Sequence, residues 1–313
     1  MLKNKKILIT GGAGFIGSHL VDHLLNLNIN IKVYDNFLRG NKLSGFAKKN
    51  VEIIEADVRD SIKLDSSLKE IDYVFHLAAY LGVESVAANP IETMEVESIG
   101  TFNIVRSSLK HNIEKIIYVS TSGVYGKIEI DKAVDEDFLV SPSSSYAIAK
   151  RYNEIYLKSV YNKFKVSTFS LRYFNVYGPR QDDRMVLPKF FDQAINNNDI
   201  TVYGNGNQTR DFTYIDDTVR STLLIADLCD GSEIINIAKG EDISINELAS
   251  EVISVTNSKS NIKNIEAPNW RYDFDVEKRC GDSNKLKKLT NYIPNTPLRE
   301  GLEKTYNFIL KNK

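Results

Sequence analysis

The sequence contains little cysteine, no surplus of charge of either sign and no long apolar run. Its only cysteines, Cys229 and Cys280, are far apart and outside any Cys-x-x-Cys or Cys/His spacing, so neither a disulfide framework nor a zinc site is expected. Lysine and arginine number 40, against 41 aspartate and glutamate residues. This near balance favours neither nucleic acid nor an acidic membrane surface as a partner.

Patterns that direct a chain to a membrane or bind a metal are also missing. No apolar run reaches the roughly 18 residues of a membrane span, and the amino terminus, MLKNKKILIT, lacks the apolar core of a signal peptide. The histidines form no ligand cluster, and His76 is predicted to be a packed residue at a strand end; the others are His19, His23 and His111. These absences predict a protein of the reducing cytoplasm without a bound metal.

Short apolar runs alternate with longer amphipathic stretches from residue 5 to about residue 170. Nearly continuous runs are typical of strands buried on both faces, and helical spacers between them imply right-handed βαβ crossovers. The runs are KKILIT (5–10), IKVYD (31–35), VEIIEAD (51–57), DYVFHLAA (72–79), KIIYVSTS (115–122) and KVSTFSLRYFNVYG (165–178). The sequence therefore predicts an α/β fold with a Rossmann-type, doubly wound parallel sheet.

After residue 178 the spacing becomes irregular and loops are frequent. At 313 residues the chain exceeds a typical single domain, so a second, smaller domain is expected. We predict that residues 1–173 form the nucleotide-binding domain and that 210–230 return to it as a strand and a helix. An α+β carboxy-terminal substrate domain would comprise the remainder, residues 174–209 and 231–313.

A glycine-rich turn follows the first predicted strand and precedes a helix, in the stretch TGGAGFIGSHL. Glycines at positions 11, 12, 14 and 17 allow the tight turn, the close approach of a pyrophosphate and the packing of helix on strand. Asp35 closes the second strand, 18 residues after Gly17, where a carboxylate can bind the ribose diol of a dinucleotide. Its charge favours NAD over NADP, although Arg39 is a nearby group that can receive a 2′-phosphate.

Tyr146 and Lys150 are four residues apart in SSSYAIAK, so they share one face of a predicted helix. Strand 115–122 ends in hydroxyl groups, among them Thr121, and its carboxyl end is expected to meet the cofactor. For Tyr146 to move a proton near neutral pH, its pKa must fall from about 10 to about 7, and this shift requires about 4 kcal/mol. A positive charge about 5.5 Å away supplies about 3 kcal/mol at an effective dielectric of about 20, so Lys150 and a positive nicotinamide ring together suffice.

The chain resembles the extended short-chain dehydrogenases/reductases that act on nucleotide sugars. This group contains UDP-galactose 4-epimerases, dTDP-glucose 4,6-dehydratases and UDP-glucuronate decarboxylases. The resemblance extends over almost the whole length. It rests on TGGAGFIG, DV at 57–58, HLAA (76–79), STSGVYG (120–126), YAIAK (146–150), RYFNVYGPRQ (172–181) and TRDFTYIDD (209–217).

This resemblance implies a role for each site residue. Tyr146 would be the base, Lys150 would orient the ribose and lower the tyrosine pKa, and Thr121 would hydrogen-bond the reacting sugar hydroxyl. Implied NAD contacts, besides Tyr146 and Lys150, are Gly11, Gly14, Phe15, Ile16, Gly17, Asp35, Asn36, Asp57, Val58, Leu77, Ala78 and Ala79. Implied substrate contacts are Ser122, Asn175, Leu187, Arg210 and Arg279. The resemblance also implies a homodimer formed through a four-helix bundle of helix 91–110 and the helix that carries Tyr146.

The chain departs from its apparent family at three places. Glu97, in VESIGT, replaces a customary asparagine near the nicotinamide. Ser122 and Gly123 occupy positions where dehydratases show Asp then Glu, and where decarboxylases show Glu before VYG. The stretch DFDVEKRCGD (273–282) is similar to a loop of the decarboxylases, in which Arg279 either reaches the sugar or pairs with a local acid such as Asp275.

These residues predict an NAD-dependent enzyme that oxidises a nucleotide-linked hexose at C4 and re-reduces the ketone from its other face. Ser122 and Gly123 disfavour dehydration, because one is a poor base and the other has no side chain. Decarboxylation of a uronate, with Arg279 holding the carboxylate, and simple C4 oxidoreduction are alternatives. A protein that only senses NAD, without catalysis, is the alternative from another functional class.

Overall fold

A parallel sheet with helices on both faces forms the larger part of the structure, a computed structural model that describes residues 2–127, 132–268 and 276–312. Its strands, with those of two smaller sheets, are β1 (Lys6–Thr10), β2 (Asn30–Asp35), β3 (Glu52–Glu55), β4 (Tyr73–His76), β5 (Lys115–Thr121), β6 (Ser167–Tyr173), β7 (Asn175–Tyr177), β8 (Ile200–Tyr203), β9 (Thr209–Tyr214), β10 (Ser232–Ile237), β11 (Asp242–Ser244) and β12 (Ile262–Ile265).

The α-helices of the described residues connect these strands. They are α1 (Phe15–Asn26), α2 (Gly45–Asn50), α3 (Ser61–Ser67), α4 (Val83–Ala88), α5 (Pro90–Met94), α6 (Gly100–Lys110), α7 (Ser145–Phe164), α8 (Val186–Ile195), α9 (Ile215–Leu228), α10 (Ile245–Thr256), α11 (Asn284–Thr290) and α12 (Leu298–Lys311). A π-helical segment, Glu95–Ile99, joins α5 to α6, and a 3₁₀ turn, Ser122–Tyr125, follows β5. No helix in the described part of the chain is long and apolar enough to cross a membrane.

The main sheet has the strand order β10-β6-β5-β4-β1-β2-β3, and each adjacent pair is parallel. The chain runs outward from β1 to β3 and then returns to place β4 on the other side of β1. The strand order therefore reverses between β1 and β4. Open α/β sheets bind their ligands at such a switch point, in the crevice outside the carboxyl ends of the strands. The predicted α/β class and doubly wound sheet are confirmed.

Burial explains why the apolar runs predicted these strands. Every residue of β4 is buried, and all but one of the five residues of β1 are buried, because helices cover both faces of the sheet. All six predicted runs contain a strand of the main sheet, and the last also contains β7.

The return of the chain to the main sheet differs from the prediction. Residues 210–230 were expected to supply a strand and a helix, but β9 instead pairs with β7 and β11 in a separate three-stranded sheet. The edge strand of the main sheet is β10, which pairs with β6. Helix α9 does pack against β5 and β6. The sequence of β9 is short and would suit a strand of either sheet. Which sheet it joins depends on which neighbouring strands have unpaired edges in the folded chain.

Helix α7 begins and ends at clear signals in the sequence. The side chain of Ser144 accepts a hydrogen bond from the Ala147 amide at the first turn, and Lys165 ends the helix in the left-handed conformation with φ of 62°. Its inward face carries charge, since Lys150 and Glu154 are both buried. Buried charges require partners, so α7 is expected to be fixed where it finds them.

Glu154 finds its partner on β6. Arg172 donates from Nε to Oε1 at 2.8 Å and from NH2 to Oε2 at 2.9 Å, so the pair is bidentate. Ser120 on β5 donates to the same carboxylate at 2.7 Å, and Tyr125 lies 3.0 Å from the Arg172 guanidinium. This buried network attaches α7 to two central strands.

Replacing Arg172 by methionine should therefore destabilise the protein strongly. The change leaves the carboxylate of Glu154 buried without its main partner, which costs about 3–5 kcal/mol. Denaturant unfolding measures the loss. Arg151→Met is the matched control, because Arg151 contacts the same carboxylate at 3.0 Å from a side chain that is 30% exposed, and it should cost at most about 1 kcal/mol. Equal effects of the two changes would contradict this account of the network.

Candidate active site

A cleft of about 480 Å³ opens at the carboxyl ends of the parallel strands. The ends of β1, β2, β4 and β5 form one side, and residues between β7 and α8 form the other. Every predicted cofactor contact lines it: Gly11, Gly14, Phe15, Ile16, Gly17, Asp35, Asn36, Asp57, Val58, Leu77, Ala78, Ala79, Tyr146 and Lys150. Residues that are scattered over the sequence thus share one cavity.

The glycine turn is shaped for a close approach of backbone to ligand. Gly11 has φ of +68°, and a Cβ on it would lie 2.7 Å from the Ala78 nitrogen. A Cβ on Gly17 would lie 2.3 Å from the Gly11 oxygen, so no side chain fits at either position. Gly14 is the N-cap of α1 and supplies no capping side chain. The helix therefore presents free amide groups and its positive end to the cleft, which suits the pyrophosphate of a dinucleotide.

Asp35 is held rigidly at the end of β2. Its Oδ1 accepts a hydrogen bond from the Phe37 amide at 2.8 Å, and its Oδ2 accepts one from the Ala13 amide at 2.9 Å. Burial raises the pKa of this carboxyl, while the two amide bonds oppose the rise. The guanidinium of Arg39 donates to the Leu81 carbonyl across the cleft mouth. The carboxylate of Asp35 is thus positioned to bind a ribose diol. Arg39, the residue that could have received the 2′-phosphate of NADP, is bonded to the Leu81 carbonyl instead.

Asp57 is organised by a residue that the sequence analysis did not identify. Arg59 donates to Asp57 from Nε and from NH2, each at 2.9 Å, and this contact lowers the pKa of the carboxyl. Arg59 also pairs with Glu92 at 2.8 Å and lines the cleft. Its position directly after the DV signature (57–58) was the available signal. Further lining residues that were not predicted include Tyr80, Gln181 and Arg184.

Thr121, Tyr146 and Lys150 come together at the end of β5. All three line the cleft, and the Lys150 Nζ lies 5.4 Å from the ring centre of Tyr146. Burial raises the pKa of Tyr146, and the nearby Thr121 hydroxyl opposes this rise. The amide of Gly123 donates to Thr121 Oγ1 at 3.0 Å, which leaves the hydroxyl hydrogen of Thr121 free to be donated. When Tyr146 is ionised, its phenolate can accept a proton, and Thr121 can hydrogen-bond the group that gives it up.

The electrostatic balance at Tyr146 differs from the prediction, because Glu97 lies beside Lys150. The carboxylate of Glu97 is fully buried, with Oε2 3.0 Å from the Lys150 Nζ. Burial raises the pKa of Tyr146 well above its ordinary value, and the charge of Glu97 raises it further. The expectation that Lys150 and a nicotinamide cation together bring this pKa near 7 stays a prediction, and in the structure the charge of Glu97 opposes that of the lysine.

His76 is a packed residue, as the sequence analysis expected. Its Nδ1 is 2.7 Å from Thr10 Oγ1 and its Nε2 is 3.2 Å from Thr101 Oγ1, so both ring nitrogens are occupied. Burial, with a smaller contribution from Lys150, lowers its pKa to about 3. The ring therefore stays neutral at ordinary pH and cannot supply a charge to the cleft.

The predicted substrate contacts are only partly assembled around this cleft. Asn175 lines it, whereas Ser122, Leu187, Arg210 and Arg279 are not among the lining residues. Ser122 and Leu187 are buried. Arg279 donates to the Gly126 carbonyl at 2.6 Å, and burial together with the nearby Arg210 lowers its pKa to about 9. The alternative partner, Asp275, lies outside the described residues. The roles of these residues stay predictions.

Comparison with known proteins places the chain among nucleotide-sugar enzymes. The family model "NAD dependent epimerase/dehydratase family" matches residues 7–238. A UDP-N-acetyl-alpha-D-glucosaminuronate decarboxylase of Bacillus cytotoxicus is 37% identical over 96% of this chain and 96% of its own length. Relatives that are named as epimerases and as dehydratases match at 33% identity.

Solved structures give the same assignment. UDP-glucose 4-epimerase of Thermotoga maritima, solved with UDP-glucose, superposes with a TM-score of 0.92 at 32% identity, over 98% of this chain and 99% of that one. The UDP-glucose 4-epimerase of Thermus thermophilus, solved with NAD, superposes with a TM-score of 0.89 at 27% identity, over 97% and 99% of the two chains. The fold is thus shared over nearly the full length.

The fixed carboxylate of Asp35 predicts the choice of cofactor. NAD(H) should bind far more tightly than NADP(H), because a 2′-phosphate would meet this negative charge. Asp35→Ala removes both the diol contact and the repulsion, and should narrow the difference by about tenfold or more, equivalent to about 1.4 kcal/mol. Fluorescence titration with both cofactors measures it. Arg39→Ala is the control and should leave the preference in place, and equal affinities in the unaltered protein would refute the role of Asp35.

Proposed function

Because the chain belongs to the NAD-dependent epimerase/dehydratase family, with NAD as its cofactor, we propose that it is a nucleotide-sugar 4-epimerase. Its reaction would pass through a transient 4-keto hexose. The observation that carries this proposal is the set of reactive side chains at the end of β5. Thr121, Tyr146 and Lys150 line the cleft there, and neither Ser122 nor Gly123 adds an acid or a base.

The residues of the cleft can perform an oxidation at C4 and its reversal. Bound NAD supplies the hydride acceptor. Tyr146 takes the proton of the C4 hydroxyl, while Thr121 holds the same oxygen by a hydrogen bond and Lys150 fixes the ribose of the cofactor. Return of the proton from Tyr146, with the ketone turned to present its other face, inverts C4. No further side chain is needed, because the hydride and the proton are both returned.

Dehydration would need groups that this chain lacks at the end of β5. Elimination of water across C5 and C6 requires a base for the C5 proton and an acid for the departing hydroxyl. Ser122 is buried outside the cleft lining, and Gly123 has no side chain. A Cβ at position 123 would already lie 3.3 Å from Thr121 Oγ1, so this glycine packs closely against the site. Both features favour a reaction that Thr121 and Tyr146 complete by themselves.

Decarboxylation of a nucleotide-linked uronate is the second candidate, and Arg279 is the observation that favours it. Arg279 is half-buried, and its guanidinium donates to the carbonyl of Gly126, the residue that follows the 3₁₀ turn after β5. A cation at this place can hold a carboxylate while the C4 ketone accepts the electrons of the broken bond. The decarboxylase of Bacillus cytotoxicus is similar over nearly the whole chain, which supports this candidate.

Pairing of two copies through α5–α6 and α7 is also proposed. Exposed apolar side chains line these helices; they are Ile91, Ile99, Phe102, Ile148, Tyr152 and Ile155. Since α5 and α7 lie side by side, two copies can bury these faces as a four-helix bundle. Burial of such side chains is favourable by about 25 cal/mol for each Å² removed from water.

The reaction is tested by the mass and configuration of the product. A neutral UDP-hexose should give a product of unchanged mass whose C4 configuration is inverted, as NMR of the sugar detects. Tyr146→Phe should lose at least about a hundredfold in rate and still bind NAD, because it removes only the proton acceptor. Loss of CO₂ from UDP-glucuronate would favour the second candidate, and loss of water would refute the argument from Ser122 and Gly123.

The proposed dimer is tested by sedimentation. Ile155 is 57% exposed, so Ile155→Glu should leave each copy folded but place a charge in the bundle and shift the protein toward the monomer. Leu228→Glu is the matched control, since Leu228 is 56% exposed at the end of α9. It should leave the association unchanged, and a monomeric unaltered protein would rule out the dimer.

A further inference from the structure

Glu97 is a buried carboxylate that the reaction, as described so far, does not use. Its Oε1 accepts a hydrogen bond from the Tyr80 amide at 3.2 Å, and its Oε2 faces the Lys150 ammonium at 3.0 Å. Burial raises the pKa of this carboxyl, while the Lys150 ammonium and the Tyr80 amide oppose the rise. Both side chains are at most 1% exposed. Such a pair is not screened by water.

The fold holds this carboxylate in place through the π-helical segment between α5 and α6. Asn153 on α7 donates to the Glu97 carbonyl at 3.0 Å and to the Tyr118 hydroxyl at 2.9 Å. Thr101 donates to the same carbonyl at 2.8 Å. The wider turn of a π-helix thus lets the Glu97 carbonyl accept hydrogen bonds from α6 and from α7 while its side chain points at Lys150.

Lys150 has few ways to move away from Glu97. Its Nζ donates to the Val119 carbonyl at 2.8 Å, and the side chain is fully buried apart from its face on the cleft. The ammonium therefore has a carbonyl on one side, a carboxylate on another and the cofactor cavity on the third. Near Tyr146 the positive and the negative charge thus lie 3.0 Å apart, so the effect of the lysine on the phenol is opposed by that of Glu97.

The other charged and titratable groups around Tyr146, Lys150 and Glu97 supply no further positive charge to the phenol. Tyr118 on β5 is hydrogen-bonded to Asn153, and burial raises its pKa well above the ordinary value. His76 on β4 is neutral, as described above. Glu154, one turn along α7, is bound to Arg172. Thr121, the remaining neighbour of Tyr146, is polar but uncharged.

We propose that Glu97 is a positioning residue that makes the ionisation of Tyr146 depend on the positive nicotinamide of oxidised NAD. The inference rests on the proposed role of Tyr146 as the base. With the Lys150 charge opposed, the phenol stays protonated in the free protein and beside the neutral ring of the reduced cofactor. It ionises only when an unopposed positive charge enters the cleft.

This arrangement matches the proton state of Tyr146 to the state of the cofactor. The sugar loses a hydride from C4 to oxidised NAD and a proton from its C4 hydroxyl to the phenolate, so charge and atoms balance. Tyr146 is then protonated beside the reduced cofactor, ready to return the proton with the hydride. An asparagine at position 97 would leave the lysine charge unopposed and weaken this dependence.

The test measures proton release when the cofactor binds, without turnover. Calorimetry in two buffers of different ionisation enthalpy should show that NAD⁺, and not NADH, releases a proton over a window of pH. Glu97→Gln should move that window down by about one to two pH units, as expected for removing one charge near the phenol at an effective dielectric of about 20. The acid limb of kcat/KM should move by the same amount.

Three further variants make the test decisive. Glu97→Asn should shift the window in the same direction, and it serves if the glutamine variant folds poorly. Tyr146→Phe should abolish the proton release. Glu114→Gln is the control. It removes the acid of another Glu–Lys pair, in which Glu114 lies 2.6 Å from Lys5 at the amino ends of the strands, and it should leave the pH window of proton release unchanged.

The results separate this inference from the proposed reaction. An unchanged window in both Glu97 variants, with or without a loss of stability, would overturn the inference and leave the epimerase proposal standing. Proton release that persists in Tyr146→Phe would likewise overturn it. A shifted window in a protein that yields no epimerised sugar would support the inference and reject the reaction.

Discussion

The attachment of α7 to the sheet by buried charges is the constraint on which the site depends. Lys150 pairs with Glu97, and one turn later Glu154 pairs with Arg172. Tyr146 lies four residues before Lys150 on the same helix, so the two pairs together fix where the phenol points. Burying ions is costly, and such pairs often add little net stability. Their value in this fold is the unique position that they give to one helix.

The parallel sheet supplies the second half of the site. Because its strands end at one edge, the glycine turn after β1, Asp35 after β2 and Thr121 at the end of β5 face one cleft. Solved UDP-glucose 4-epimerases share the fold of this chain. The first step proposed for this chain, oxidation at C4, needs only these elements. The outcome of the reaction is then a matter of the few side chains beyond Thr121 and of the cation at Arg279.

Much of this arrangement was predictable from sequence because its signals are local. Strands buried on both faces give continuous apolar runs, the glycine turn needs residues without side chains, and the spacing of Tyr146 and Lys150 follows from one helix. That β10, and not β9, forms the edge strand of the main sheet was not predictable in this way. Both are short strands, and which sheet each joins depends on edges that are formed by distant parts of the chain.

The sequence by itself determined the fold class, the family of the cofactor cleft and the candidates for the reactive side chains, because each rests on spacing within one strand, turn or helix. It also marked Glu97 as a departure from the family. Only the tertiary structure decided that Glu97 lies 3.0 Å from Lys150, since helix packing brings together two residues that are 53 positions apart in the chain. Charge interactions depend on separation in space, and the linear order of residues does not contain it.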